Sequence, residues 1–139
     1  SPDSLKNVLL TINELKERDK ATITVIGCGG NRDKSKRPII GKIASSLSDI
    51  VIFTSDNPRN ENPKDIINQM IKGVDVKNIN KVESEINREE AIKIACLRAN
   101  SKDVILVAGK GHEKYQINGN EKIEFDDKKV LIKLLKNNY

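Results

Sequence analysis

The chain has 139 residues and a mass of 15.5 kDa, a size that fits one compact domain. With 37% hydrophobic and 32% charged residues, 8 Gly and 4 Pro, it is neither a disordered tail nor a low-complexity or repeat sequence. No stretch approaches the ~18 consecutive apolar residues of a membrane span, and the opening Ser1-Pro2-Asp3-Ser4 has no signal-peptide order. Lys and Arg number 25 against 20 Asp and Glu, giving a net charge of +5 and a pI near 9.2. That excess points to an anionic partner. Nucleic acid is disfavoured: Phe53, Tyr115, Phe125 and Tyr139 are the only aromatics, too few for base stacking, and the basic residues are interleaved with acids. Cys28 and Cys96 have neither metal-ligand nor disulfide-framework spacing, so the expected setting is reducing and cytoplasmic.

Ser1 and Pro2 suit the start of a helix on which Leu5, Val8, Leu9, Ile12 and Leu15 recur at helical spacing. The β-branched run 21–26 predicts a strand, and residues 27–37 a loop. Pro38 opens a second helix with Ile39, Ile40, Ile43, Ala44 and Leu47 on its apolar side. Residues 50–54 predict a second strand, apolar throughout and so buried on both faces. A third helix begins at Pro63 and stops at Gly73. Lys81-Val82-Glu83 reads as a short strand. Asn87 with Glu90 resembles a capping box for a helix reaching about Ala99. Val104 to Ala108 is the clearest buried strand. Residues 115–117 and 122–125 alternate around Asn118-Gly119-Asn120 as a hairpin, and Asp126 caps a last helix. The fold class is α/β: Rossmann-like, a mainly parallel sheet with an antiparallel hairpin at one edge and helices on both faces.

Three unusual loops, 27–37, 55–62 and 109–114, each follow a predicted strand. In a parallel sheet the carboxyl ends share one edge, and ligands bind there where strand order reverses. The three loops are therefore expected to meet. Gly27-Cys28-Gly29 begins like a dinucleotide fingerprint, but Arg32 stands where that pattern needs Gly or Ala, and no Gly-Lys-Ser/Thr closes a P-loop. Four basic residues against Asp33 between 31 and 37 fit either an anion-binding loop or a solvated one. In Asp56-Asn57-Pro58-Arg59, Pro58 restricts the backbone and Arg59 suits a carboxylate, although a plain Asn-Pro turn reads equally well. Gly109 lets a ligand approach the backbone, Glu113 suits an ammonium group, and His112 and Cys28 read as packing residues. Arginines for carboxylate with a glutamate for ammonium describe a site for an amino acid. The rival reading is a stand-alone phosphate- or nucleotide-binding module supported by the Gly27–Gly30 loop.

Gly-Cys-Gly-Gly-Asn-Arg-Asp-Lys-Ser-Lys-Arg-Pro at 27–38, Asp-Asn-Pro-Arg at 56–59 and Ala-Gly-Lys-Gly-His-Glu at 108–113 resemble, in this order, the C-terminal domain of the Mur ligases. The resemblance covers essentially all of residues 1–139 as one amino-acid-binding domain. It implies a cytoplasmic ATP- and magnesium-dependent enzyme that builds the peptidoglycan stem peptide through an acyl phosphate. It also implies that UDP-sugar and ATPase domains lie outside this chain, which would be inactive alone and hold no ATP, metal or catalytic residue of its own. Carried over by motif, Arg32, Asp56, Asn57, Pro58, Arg59, Gly109 and Glu113 would bind meso-diaminopimelate, with Arg59 on its distal carboxylate. Lys34, Lys36 and Arg37 would lie near ATP phosphates. Lysine-adding relatives lack the arginine of the 56–59 motif, while an analogue such as lanthionine shares the distal groups of diaminopimelate. The other implied substrates are UDP-MurNAc-L-Ala-D-Glu and ATP, met through the other domains, with neither nucleic acid nor membrane as partner. Asn31 departs from the Asp of many relatives.

Overall fold

The computed structural model describes residues 1–110 and 113–138, the last two by backbone alone. In chain order the elements are α1 (Pro2–Leu15), β1 (Thr22–Ile26), α2 (Lys36–Leu47), β2 (Ile50–Phe53), α3 (Pro63–Ile71), a 3-10 helix (Val76–Lys81), β3 (Val82–Ser84), α4 (Arg88–Arg98), β4 (Val104–Ala108), β5 (Tyr115–Asn118), β6 (Glu121–Glu124) and α5 (Asp127–Asn138). Four parallel strands form a sheet in the order β3-β2-β1-β4. The chain moves outward from β1 through β2 to β3, then returns to the far side of β1 as β4. Strand order thus reverses between β1 and β4.

Side chains alternate between two cores. Ile26, Val51 and Phe53 face α1, α2 and α3, where Leu5, Leu9, Ala44, Ile66, Ile67 and Met70 complete the layer. Ile23, Val25 and Ile52 face α4 and α5, packing on Ala91, Ile92, Ala95, Cys96 and Leu134. No helix among the described residues is long and apolar enough to cross a membrane. Helix starts follow local chemistry: the side-chain oxygens of Ser1, Asn62, Asn87 and Asp126 accept from the backbone N–H of Ser4, Lys64, Glu90 and Lys128 at 3.2, 2.9, 3.0 and 3.0 Å.

The sequence expectations need correction at several places. Helix α2 begins at Lys36, two residues before Pro38. Leu15 is 80% exposed, because α1 ends there and only Leu5 and Leu9 reach the core. Strand β4 is apolar throughout but only half-buried, being the edge of the parallel sheet. The hairpin does not extend that sheet. It forms a separate two-stranded sheet, tied to the loop after β2 by an isolated bridge between Arg59 and Asn118. The 3-10 turn has no apolar period to betray it.

Helices α2 and α3 cross so closely that a Cβ on Gly41 would lie 1.9 Å from the Met70 carbonyl oxygen. Alanine is normally better than glycine inside a helix by ~1 kcal/mol. Here Gly41→Ala is expected to do the opposite and destabilise by about 1–3 kcal/mol through forced separation of the two helices, as read from the urea midpoint of unfolding.

Candidate functional site

The three loops that follow β1, β2 and β4 do converge. They surround a cleft of about 710 Å³ at the carboxyl ends of β1 and β4, the point where strand order reverses. The N-terminal turns of α1 and Ile40 of α2 complete its wall. Arg32, Asp56, Asn57, Arg59, Gly109 and Glu113 all line it, as do Lys36 and Arg37, while Pro58 and Lys34 do not.

Asn57 joins the loops. It is 1% exposed. Its Nδ2 donates to Glu113 Oε2 at 2.7 Å, its Oδ1 accepts from the Ile117 N–H at 2.8 Å, and its carbonyl accepts from the Gly30 N–H at 2.7 Å. The 27–37 loop, the 109–114 loop and the hairpin are all fixed to one residue. Buried Pro58 backs this arrangement, since a Cβ on Gly30 would lie 1.9 Å from the Pro58 carbonyl oxygen. Gln116 Nε2 adds bonds of 2.7 Å to the Ser55 hydroxyl and the Asp56 carbonyl.

Arg59 has φ +52°, a left-handed conformation uncommon for a long side chain. Such strain persists only when the surroundings enforce it and clusters at functional sites. Here the Arg59 N–H donates to the Ile117 carbonyl at 3.0 Å, and Nη1 donates to the Gly30 carbonyl at 2.9 Å. No acceptor among the described residues meets Nε or Nη2, which leaves one edge of the guanidinium open. Glu113 Oε1 is likewise without a donor among the described residues. Gly109 has φ +109°, and a Cβ there would lie 2.5 Å from the Gly27 carbonyl oxygen, so the backbones after β1 and β4 touch.

Asp56 is buried with Oδ1 unpartnered among the described residues. Burial pushes its carboxyl above the usual carboxylate range, the Arg88 guanidinium opposes that shift, and Glu113 adds to it. The Lys110 ammonium is buried 5.4 Å from the Tyr115 ring centre and 5.9 Å from that of Phe125. Desolvation lowers its pKa, against the attraction of Asp56 and Asp127. Burial pushes the Cys28 thiol up to about 11, where it is inert, and its Sγ packs 3.4 Å from Met70 Sδ. His112 and Gly111 lie outside the described residues.

The basic loop divides. Arg32 and Lys34 are solvent-exposed, and Lys36 is exposed at the start of α2. Arg37 does not belong to a solvated loop. It is 1% exposed, with Nη1 donating to Glu61 Oε1 and Gln69 Oε1 at 3.0 and 2.8 Å, and Nη2 to Glu61 Oε2 and the Gly29 carbonyl at 2.8 and 2.9 Å. Sequence reasoning missed Glu61. Its Oε2 also accepts from the Asn31 N–H at 2.6 Å, and Lys34 approaches at 3.7 Å. Asn31 has φ +55°, which asparagine tolerates well, and as an amide it adds no second carboxylate beside Glu61. Also missed were Arg88, which is fully buried, and its largely buried partner Asp127, beneath the cleft. No local pattern marks any of these residues, because their ion-pair partners lie 24 and 39 positions away.

The Mur ligase glutamate ligase domain model matches residues 1–111. The chain belongs to this family. A relative from Cytophaga hutchinsonii, named UDP-N-acetylmuramoyl-L-alanyl-D-glutamate–2,6-diaminopimelate ligase, is 55% identical over 135 residues, covering 97% of this chain and 28% of that protein. The ligase of the same name from Bacteroides thetaiotaomicron is 54% identical over 94% of this chain and 27% of its own length. A solved structure of a ligase of that name matches with a TM-score of 0.90 and 36% identity, over 99% of this chain and 28% of that one. A folylpolyglutamate synthase from Thermotoga maritima shares the fold alone, at 15% identity and a TM-score of 0.54 over 79% of this chain and 23% of that one. The chain spans little more than a quarter of the length of the ligases it matches.

The Arg37 guanidinium, through its hydrogen bonds, holds the Glu61 carboxyl down at about 2 against an ordinary 4.5. A depressed folded-state value means that this stabilisation is complete above the ordinary value and lost as pH falls through the lower one. Thermal melts are expected to show Glu61→Gln less stable than the parent at neutral pH, with the gap closing between about pH 4.5 and about pH 2. A gap constant across that window would remove Glu61 from its role.

Proposed function

We propose that this chain is the amino-acid-recognising domain of a ligase that adds meso-diaminopimelate to UDP-MurNAc-L-Ala-D-Glu in peptidoglycan synthesis. The observation that carries the reading is the juxtaposition, in one cleft, of the open guanidinium edge of Arg59 with the Glu113 carboxylate, both fastened to Asn57. Cation and anion face the same space, which suits a zwitterion and not a bare phosphate. The names of the relatives support the same substrate.

In this reading Arg59 receives the distal carboxylate through Nε and Nη2, and Arg32 adds positive charge at the rim. Glu113 and Asp56 receive ammonium, and the Gly109 backbone, bare of a side chain, lets the ligand lie against the strand end. Fixing both ends of the amino acid presents its reacting amine in a single pose and lowers the entropic barrier to attack. In the whole ligase, ATP would be the source of the phosphoryl group that activates the glutamate carboxylate. The residues here do not fit the binding of that nucleotide or its magnesium: the chain has no Gly-Lys-Ser/Thr loop, and no group of three or more His, Cys, Asp or Glu among the described residues is placed to hold a metal. Lys36 on the cleft wall and Lys34 outside it contribute only positive charge, and Arg37 commits its fork to Glu61. Those groups, and the sugar nucleotide, are assigned to the rest of a longer cytoplasmic enzyme.

Calorimetric titration tests this directly. Meso-diaminopimelate is expected to bind roughly tenfold or more tightly than L-lysine, the order of one charge-assisted hydrogen-bonded pair. The preference is expected to vanish in Arg59→Gln, with the melting temperature checked in parallel. Equal affinity for the two amino acids, or binding of ATP with neither amino acid bound, would favour the nucleotide-module reading instead.

A further inference from the structure

Beneath the cleft one side chain touches both strand ends that carry the site. Arg88, the first residue of α4, is 1% exposed. Its Nη1 donates to the Ser55 carbonyl at 2.9 Å and its Nη2 to the Ala108 carbonyl at 3.1 Å. Ser55 immediately precedes Asp56, and Ala108 immediately precedes Gly109. The planar guanidinium therefore spans from the loop after β2 to the loop after β4, passing the end of the intervening strand β1. Its orientation is set from the other side by Asp127 of α5, whose two oxygens accept from Nε and Nη2 at 2.7 Å each.

We infer that Arg88 is a positioning residue for the amino-acid cleft: a rigid spacer that fixes the distance between the Asp56–Arg59 loop and the Gly109–Glu113 loop, oriented by Asp127. The geometry is of the kind that serves spacing better than stability. A buried ion pair costs desolvation that its attraction only roughly repays. A hydrophobic filling of the same volume would close the core as well, but it would leave the two carbonyls without donors and the two loops without a common reference. A single ammonium cannot replace this function, because its donors radiate from one nitrogen, whereas the guanidinium presents donors from three separate nitrogens in a plane. The charged groups facing Arg88 and its neighbour Asp56 are Asp127 from α5 and Lys110 and Glu113 from the loop after β4. Arg88 thus sits at the centre of a mixed cluster and bridges, through backbone carbonyls, the start of one loop and the strand end that leads into the other.

This inference rests on the amino-acid reading only for its affinity arm. Arg88→Lys keeps the charge and removes the planar span. In amide NMR spectra of the whole chain, the signals of Asp56 and Gly109 are both expected to shift or broaden in this variant, while those of α1 and α3 stay in place. Affinity for meso-diaminopimelate is expected to fall about tenfold with a cooperative unfolding transition retained. Unchanged loop signals in folded Arg88→Lys, or movement of one loop alone, would overturn the proposal. Should Arg88→Lys fail to fold, Asp127→Asn decides. It keeps the guanidinium with a neutral acceptor, and a smaller shift in both loops is expected, whereas shifts confined to α5 would refute the spacer. If the parent chain ignores meso-diaminopimelate, the substrate reading falls, and the spectra still judge Arg88.

Discussion

The arrangement of this molecule turns on the side-chain amide of Asn57. An amide carries a donor and an acceptor at the two ends of one rigid plane. Here the donor end meets the Glu113 carboxylate and the acceptor end meets the Ile117 N–H. Aspartate in its place would set two carboxylates against each other, and an aliphatic residue would leave the half-buried Ile117 N–H without its acceptor. Burial raises the stakes, because a polar group withdrawn from water and left unmet costs on the order of 1–3 kcal/mol. The residue that appears in the sequence as half of an Asn-Pro turn is in fact the joint between two loops and a hairpin. Whatever binds in the cleft meets Glu113 and Arg59 already oriented by it.

The basic character of the chain acquires a different meaning once the side chains are placed. Arg37, Arg88 and Lys110 are among the largest fully buried residues. They are structural cations, matched by Glu61, Asp127 and the aromatic faces of the hairpin. Each works at the carboxyl ends of the strands, under or beside the cleft, and none of them is free for a polyanion. Part of the basic content is thus an internal framework of arginine forks on backbone carbonyls, with Arg37 on Gly29 and Arg88 on Ser55 and Ala108. Loops that carry recognition groups lack the hydrogen-bond ladder of a sheet, and these forks substitute for it.

Local patterns made the elements legible. The β-branched runs at 22–26, 50–53 and 104–108 are strands, and the cap residues Ser1, Asn87 and Asp126 mark true helix starts. The convergence of the three loops followed from strand parallelism alone, before any side chain was placed. Edge position did not follow, because an apolar run such as Val104–Ala108 reads alike at the centre or the margin of a sheet. Nor did the docking of the hairpin. Its attachment runs through the Arg59 and Asn57 backbone and amide groups, and those bonds depend on a left-handed turn at Arg59 that no propensity would assign to arginine. Glu61, Arg88 and Asp127 were invisible for a related reason. Each looks like an ordinary surface charge until its distant partner is known.

On the proposed reading, the same geometry accounts for how such a cleft would discriminate between amino acids that differ by one carboxylate. A pocket that recognises by shape gains only about 1–3 kcal/mol from an extra methylene, whereas a site built to hydrogen-bond a polar group rejects the analogue that lacks it far more strongly. The difference lies in what remains behind. With Nη1 of Arg59 already committed to the Gly30 carbonyl, Nε and Nη2 stay directed at the cleft whether or not the ligand offers them an acceptor. The strained backbone at +52° and the Ile117 bond remove the remaining freedom. On the proposed reading, rigidity that would be a liability in a general binding loop becomes a source of selectivity, since the arginine is held with its open edge toward the place a distal carboxylate would occupy.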